Sequence, residues 1–161
     1  MTMDETLENY LANHAITYTI HEHPAIFTVA EGRRLKEHIP GMHCKTLFLK
    51  DDEGKFYLVG MRADKRLVIT KLRKQFGLKK LFFGSVDELK ERLRLTPGSV
   101  SIFGMIHDTS HHVHLILDIE VWHAPIVGFH PNINTVTLEI SHENLVKFYE
   151  SIKGRKELLD L

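Results

Sequence analysis

One lysine in an apolar segment is the first residue of this sequence that could perform chemistry. The segment 44–49 alternates as a β-strand does, so Lys45 shares a strand face with Leu47 and Leu49. An ammonium group on such a face must reach a sheet edge, find a partner or line a cavity. Two interpretations are open: a lysine that extends to solvent, or a cation in a binding cleft. Cys44 lies on the opposite face and is interpreted as a small core residue.

A histidine in a constrained loop is the second candidate. Residues 128–134 read Gly-Phe-His-Pro-Asn-Ile-Asn and lie between two predicted strands. Glycine and proline restrict the backbone path there, and asparagine side chains brace turns. His130 in such a loop could contact a ligand or transfer protons. The alternative is a turn whose histidine packs at the domain surface.

A segment with glycine and hydroxyl groups is the third candidate. Residues 96–104 read Thr-Pro-Gly-Ser-Val-Ser-Ile-Phe-Gly. Gly98, with the hydroxyl groups of Ser99 and Ser101, could offer donors to a phosphate, sugar or acyl oxygen. The alternative is a turn into a strand. Neither a Walker lysine nor a GxGxxG motif accompanies the segment, so neither ATP nor NAD binding is indicated.

A histidine-rich segment raises the question of a metal site. In a strand over 112–119, His112 and His114 would share one face with Asp118, a spacing that could chelate a metal ion. No HExxH motif or cysteine pair accompanies them. We therefore favour an exposed polar strand face, and we expect neither a metal nor a cofactor.

The elements around these residues predict one mixed α/β domain over 1–161, in which strands outnumber helices and several neighbours are antiparallel. The turn at 51–54 makes 44–49 and 56–61 the clearest hairpin. Helices are expected after capping signals at 2–5, 28–31, 85–88 and Ser141, with a short one over 71–76. The remaining strands are predicted near 16–21, 81–83, 100–105, 112–119, 126–129 and 135–140.

Charge is balanced over the 161 residues but is unevenly distributed. Lysine plus arginine and aspartate plus glutamate number 21 each, which argues against a protein that coats nucleic acid generally. The segment from Arg62 to Lys80 holds eight basic residues and one acid, a net charge of +7. The face formed by this segment could therefore contact phosphate groups. The alternative is a helix and loop whose charges are only solvated.

The expected location is the cytoplasm, without a membrane partner. No apolar run approaches the ~18 residues of a membrane helix. The acidic N-terminus does not read as a secretory signal, and the single cysteine fits a reducing compartment.

Three of these segments together resemble the YbaK / prolyl-tRNA-synthetase-associated domain family, in particular its free-standing ProX-type members. The resemblance lies in 44–51 (CKTLFLKD), 96–104 (TPGSVSIFG) and 128–135 (GFHPNINT), and it covers nearly the whole chain. It implies a single mixed α/β domain with a barrel-like, largely antiparallel sheet and surrounding helices. It also implies deacylation of mischarged aminoacyl-tRNA in trans, with alanyl-tRNA of the proline anticodon as the substrate.

The resemblance also implies roles for individual residues. Lys45 matches the essential catalytic lysine near the tRNA 3′ end, and His130 matches the histidine that shapes the aminoacyl pocket. The segment 98–102 falls on a GxxxP loop that positions the terminal adenosine and the ester, and here Ile102 replaces the final proline. Thr46 stands where relatives often have asparagine. The implied substrate-binding set is Thr46, Gly98, Ser99, Val100, Ser101, Gly128, Phe129 and His130.

The leading hypothesis is therefore a trans-editing aminoacyl-tRNA deacylase that acts on Ala-tRNA(Pro). Its partner is the acceptor end of proline tRNA, and prolyl-tRNA synthetase is a further candidate. A pocket that binds proline cannot exclude the smaller alanine, since a methylene is worth only ~1–3 kcal/mol, so a second hydrolytic site is needed. The alternative, which the departure at Ile102 keeps open, is a non-catalytic module that binds a tRNA acceptor end or a synthetase.

Overall fold

The computed structural model describes residues 3–25 and 28–161, and helices and strands are interspersed along these ranges. Within them, no helix combines the length and apolar character that crossing a bilayer requires. The helices are α1 (Glu5–Asn13), α2 (Val29–Leu35), α3 (Ile69–Gln75), α4 (Val86–Leu93), α5 (Ile119–His123) and α6 (His142–Ser151), with 3₁₀ turns η1 (Pro97–Ser99) and η2 (Ile102–His107). The strands are β1 (Thr19–Glu22), β2 (Met42–Asp51), β3 (Phe56–Arg62), β4 (Leu81–Phe83), β5 (Val113–Asp118), β6 (Ile126–Phe129), β7 (Val136–Ser141) and β8 (Lys156–Leu159).

The strands form one mixed sheet in the order β1-β7-β6-β2-β3-β5-β8, with β4 paired to β2. The pairs β1–β7, β6–β7, β2–β3 and β2–β4 are antiparallel, whereas β2–β6, β3–β5 and β5–β8 are parallel. The predicted mixed α/β fold class is confirmed. The predicted hairpin is confirmed as β2–β3, in which Lys45 lies opposite Met61 and Thr46 opposite Gly60.

One edge of β2 is left without a partner strand near its middle. On that edge β6 pairs with Met42 and His43, and β4 pairs only with 49–51. Between β6 and β4, no strand of the described residues pairs with Lys45 or Thr46 on this edge, and β3 pairs with both on the other edge. Because the backbone of an unpaired edge is accessible from the side, this gap leaves room for a ligand.

The two faces of the central strands cover two separate cores. Phe48 and Leu58 pack into the larger core, whereas Leu49 and Val59 pack into the smaller one. Both cores consist of fully or nearly fully buried side chains, so β2 and β3 are held from both sides. Since strand residues alternate, Thr46 lies on the face of the larger core and Lys45 on the face of the smaller core.

The capping signals hold where the structure describes them. Ser85 and Glu88 form a reciprocal capping box at the start of α4. Thr28 accepts a hydrogen bond from the backbone N–H of Glu31, and Ser141 caps α6. The expected box at 2–5 begins at Thr2, which lies outside the described residues; α1 itself starts at Glu5.

The strand predicted near 100–105 is wrong, because η2 occupies this region. Ile102, Phe103 and Met105 are all buried, so the segment lacks the one-sided alternation of a half-buried strand. The Ser101 hydroxyl accepts from the N–H of Phe103 and starts the turn of helix. Ile102 is fully buried in the larger core, so the residue that replaces the proline acts here as a core residue.

Candidate active site

A cavity of about 630 Å³ opens beside the gap in the edge of β2. It is lined by α2 and by residues 42–46 of β2. The other wall residues come from 62–64 at the end of β3, from 97–100 and from Phe129 and His130. Six of the nine residues predicted for the site line this cavity: Lys45, Thr46, Gly98, Val100, Phe129 and His130. Three segments far apart in sequence are thereby brought to one place.

The other three predicted residues lie behind the cavity wall. Ser101 is fully buried, and its hydroxyl donates to the backbone carbonyl of His130, which ties the 96–104 segment to the histidine loop. Gly128 pairs with His43, and a Cβ there would lie 3.1 Å from the Thr137 methyl group. Ser99 lies in η1 and is almost fully buried. These residues can position the site without contacting a ligand.

Lys45 is a half-buried cation without a partner. Among the described residues it makes no hydrogen bond and no ion pair. Burial lowers its pKa, although the negative charge of Asp64 acts in the opposite direction and raises it. Asp64 is occupied by Arg62, whose Nε and Nη2 lie 3.0 and 2.9 Å from its two carboxylate oxygens. The ammonium group of Lys45 is therefore available to an anionic or strongly polar group of a ligand.

His130 is a neutral hydrogen-bond acceptor toward the cavity. Its Nδ1 lies 3.1 Å from the backbone carbonyl of Val136, which can only accept, so Nδ1 holds the proton and Nε2 holds a lone pair. Burial, helped by the charge of Lys36, lowers the pKa of His130 to about 4. The ring can thus accept a hydrogen bond from an ammonium or hydroxyl group near neutral pH.

This low pKa predicts acid sensitivity of the fold. Between pH 6.5 and pH 4 the unfolded chain protonates this histidine and the folded chain does not, so stability is lost as the pH falls. From about pH 7 to about pH 4.5, wild type should lose roughly 2–3 kcal/mol more unfolding free energy than His130→Gln. Urea unfolding at both pH values measures this, with the exposed His14→Gln as the control. Parallel losses in wild type and His130→Gln would contradict it.

Thr46 brings an unpartnered hydroxyl group to the same cavity. Its Oγ1 is buried and has no hydrogen-bond partner among the described residues. An unsatisfied buried hydroxyl group costs about 1–3 kcal/mol, so it indicates a role that is filled when a ligand is present.

Thr46→Val, a change of nearly the same shape, should therefore separate stability from activity. We expect the thermal midpoint to stay or rise, since no partner is lost, and ester hydrolysis to fall about tenfold, the worth of one hydrogen bond. A thermal melt and a deacylation assay on the same preparation test this. Unchanged hydrolysis would show that the hydroxyl does not contact the substrate.

Lys36 and His43 are among the wall residues that sequence analysis did not assign to the site. Thr28, Gly32 and Lys36 are spaced by four, and all three line the cavity from one face of α2. In the sequence, the spacing of four residues after a capping threonine indicates that these residues share one helix face. His43 is half-buried, and its Nδ1 has no partner in the described part of the chain.

The histidine pair considered for a metal site does not share a strand face. His114 is buried and its Nε2 lies 2.7 Å from Glu157, whereas His112 precedes β5, and its Nδ1 lies 2.7 Å from Nη1 of Arg92. The expectation of an exposed polar strand face is wrong, because all six residues of β5 are buried and His112 lies before the strand begins. Residues 3–25 and 28–161 contain no group of three histidine, cysteine or acidic side chains arranged to hold a metal ion.

The basic segment 62–80 is partly neutralised by acids from elsewhere. Lys65 binds Asp118 and Glu120 at 2.9 and 2.6 Å, and Arg62 also binds Glu120. The cations of the segment that are exposed and lack an ion pair among the described residues are Arg66, Lys71, Lys74, Lys79 and Lys80. These five, on and around α3, are available to phosphate groups.

Comparison with known proteins decides which family has this fold and cavity. The family model described as the aminoacyl-tRNA editing domain matches residues 23–148, which include all three cavity segments. The chain belongs to the aminoacyl-tRNA editing domain family. The hypothesis of an aminoacyl-tRNA deacylase is confirmed, and aminoacyl-tRNA is its substrate.

Individual relatives agree with this assignment. The chain is 34% identical over 137 residues to the Prolyl-tRNA editing protein ProX of Acetoanaerobium sticklandii, covering 84% of each protein. It is 34% identical over 155 residues to Prolyl-tRNA synthetase associated domain-containing protein 1 of Danio rerio, covering 95% of this chain and 84% of that protein. The solved structure of the hypothetical protein APE2540, 22% identical, matches with a TM-score of 0.75 over 94% of this chain and 97% of its own, which shows the same fold.

Proposed function

We propose that this editing domain hydrolyses the ester of Ala-tRNA(Pro) in trans, with Lys45 as a catalytic residue. The observation that supports the proposal best is the meeting of an unpaired lysine, an unpartnered threonine hydroxyl and a neutral histidine in one cavity. The similarity to a protein named for prolyl-tRNA editing supports the choice of tRNA. The 2′- or 3′-aminoacyl ester is the bond that is broken.

The cavity acts in this proposal as a second sieve. The aminoacyl side chain enters against Phe129 and Val100, which line the wall beside His130. Alanine fits this space, and the larger proline ring is excluded by its bulk, the reverse of the selection in a proline-binding pocket. In this proposal the wall at Phe129 and Val100 fits closely around alanine, because overpacking a close-fitting wall costs about 1–3 kcal/mol and so rejects proline.

The chemistry needs only water, a placed cation and fixed dipoles. Water adds to the ester carbonyl carbon, the carbonyl electron pair moves to oxygen, and the tetrahedral intermediate then breaks its bond to the ribose oxygen. The proton that water loses ends on that ribose oxygen, so free alanine and a tRNA hydroxyl group result. Lys45 acts as an electrostatic anchor and not through a covalent intermediate. His130 accepts a hydrogen bond from the α-ammonium group through Nε2.

The test is a deacylation assay on three substrates: Ala-tRNA(Pro), Pro-tRNA(Pro) and Ala-tRNA of the alanine anticodon. We expect release of alanine from the first, at least tenfold faster than release of amino acid from either of the others. Hydrolysis of Ala-tRNA(Pro) no faster than in buffer would overturn the proposal. Salt-sensitive retention of tRNA without release would instead favour the non-catalytic binding module.

The same proposal places the protein in the cytoplasm, with prolyl-tRNA synthetase as the source of its substrate. A buried, free cysteine supports a reducing compartment. Adding this protein to an aminoacylation reaction of the synthetase should lower the steady-state level of Ala-tRNA(Pro) formed with alanine, without affecting the Pro-tRNA(Pro) formed with proline. Accumulation of Ala-tRNA(Pro) at the level seen without the editing domain would contradict this partnership.

A further inference from the structure

A second lysine, Lys36, lies deeper in the cavity than Lys45. It directly follows the last residue of α2, and its side chain is only 6% exposed. It lines the cavity together with Gly32, which lies four positions earlier in the chain. Among the described residues its side chain has no hydrogen bond and no ion pair. A nearly buried ammonium group without a counter-charge is rare, because desolvation costs far more than packing returns.

The groups around Lys36 do not neutralise it. Cys44 and His43 on β2, His130 after β6 and His23 after β1 are its titratable neighbours, and none is a carboxylate. Burial raises the pKa of the Cys44 thiol, so this neighbour is uncharged near neutral pH.

Asp64, the one carboxylate among the described residues that line the cavity, contacts Arg62 and neighbours Lys45 instead. Lys36 therefore has its charge uncompensated until a ligand enters.

Two further unpartnered atoms indicate a polar ligand at this place. The buried Oγ1 of Thr46 and Nδ1 of His43 lack hydrogen-bond partners in the described residues, and both residues line the same cavity as Lys36. Buried polar atoms are nearly always satisfied, so several unsatisfied ones around one cavity indicate groups that a ligand satisfies. An apolar occupant would leave all of them unpaired.

Depth decides which part of the substrate each lysine meets. A tRNA is too large for a cavity of about 630 Å³, so its aminoacyl end enters and its backbone stays at the mouth. Lys36 is nearly fully buried and lies near His130, whereas Lys45 is only half-buried. Lys36, the inner cation, can therefore reach the ester, and Lys45, the outer cation, can reach the phosphate of the terminal nucleotide.

We propose that Lys36 is a second catalytic residue, whose ammonium group binds the acyl oxygen of the ester, while Lys45 binds the phosphate of the terminal nucleotide. This inference rests on the proposed function. When water adds to the carbonyl carbon, the electron pair that moves to oxygen is met by a cation already in place, with no solvent to reorganise. When the ribose oxygen leaves, the pair returns to form the carboxyl group, and Lys36 is unchanged.

The test compares Lys36→Met, Lys36→Arg and the exposed control Lys90→Met with wild type in deacylation of Ala-tRNA(Pro). For Lys36→Met we expect kcat to fall about 100-fold, the usual loss for an oxyanion donor, with KM within about twofold. Its thermal midpoint should not fall, since methionine fills the space and no partner is left unpaired. A kcat within about threefold of wild type would overturn the proposal, as would a fall in kcat that Lys90→Met shares.

The pH dependence of kcat distinguishes a binding cation from a purely structural lysine. Burial lowers the pKa of Lys36 to about 8, so in wild type kcat, corrected for uncatalysed hydrolysis, should decline above this pH as the ammonium group loses its proton. Lys36→Arg keeps its charge and should lack the decline. Equal profiles, or a wild-type kcat that rises through pH 8, would overturn the proposal. A wild type without activity would instead overturn the proposed function.

Discussion

Lys45→Met should lower kcat/KM for deacylation of Ala-tRNA(Pro) about 100-fold, mainly through KM, without loss of the folded state. Lys45 has no partner among the described residues, so its removal leaves no buried charge behind, and methionine suits the face that it shares with Leu47. The lost interaction is a charge-assisted contact to phosphate, worth about 1.5–3 kcal/mol. Steady-state kinetics at several salt concentrations measure the effect, and the variant should show a weaker salt dependence than wild type.

Two further variants make this result decisive. Lys45→Arg keeps the charge but replaces a compact ammonium group with a planar fork, so we expect only partial recovery. Lys90→Met removes an exposed cation from α4, which is not part of the cavity wall, and should leave kinetics unchanged. If Lys45→Met acted on kcat alone, with KM and salt dependence as in wild type, the assignment of Lys45 to the phosphate would be wrong.

Asp51→Ala should lower the free energy of unfolding by about 3 kcal/mol or more, the cost of leaving several buried donors unpaired. Asp51 is fully buried at the end of β2 and accepts hydrogen bonds from the N–H groups of Glu53 and Lys55, at 2.8 and 2.9 Å, and from the Tyr57 hydroxyl, at 2.7 Å. Burial alone would raise the pKa of Asp51, but the bonds from Tyr57, Lys55 and Glu53 outweigh it and lower the pKa. Its stabilising effect is therefore complete above the pKa of an unfolded aspartate and is lost as the pH falls through the folded value.

Urea unfolding of Asp51→Ala beside Asp52→Ala measures this effect. Asp52 is exposed in the same turn and accepts one bond, from Lys80 at 3.2 Å, so its replacement should cost less than about 1 kcal/mol. The deacylation rate of folded Asp51→Ala should match wild type at low temperature, because the turn is at the opposite end of the hairpin from Lys45. Equal losses of stability in the two variants would contradict the role assigned to Asp51.

Features set by near neighbours in the chain were open to prediction from sequence. The alternation over 44–49 places Lys45 and Thr46 on opposite faces, and the turn after Asp51 forms the hairpin that holds them. The cap at Ser85 likewise depends on a residue three positions away. In each case the determining contacts lie within one turn or one strand pair, so residue type and spacing contain the information.

Features that depend on distant segments appeared only in the folded structure. The parallel pairing of Met42 with Val127 brings His130 beside α2, and only then do Lys36 and Lys45 face one cavity. The same packing directs the Ser101 hydroxyl to the carbonyl of His130 instead of to a ligand. The strand order and the burial of Lys36 result from many long-range contacts acting together. A local pattern of residues does not contain the information on these contacts.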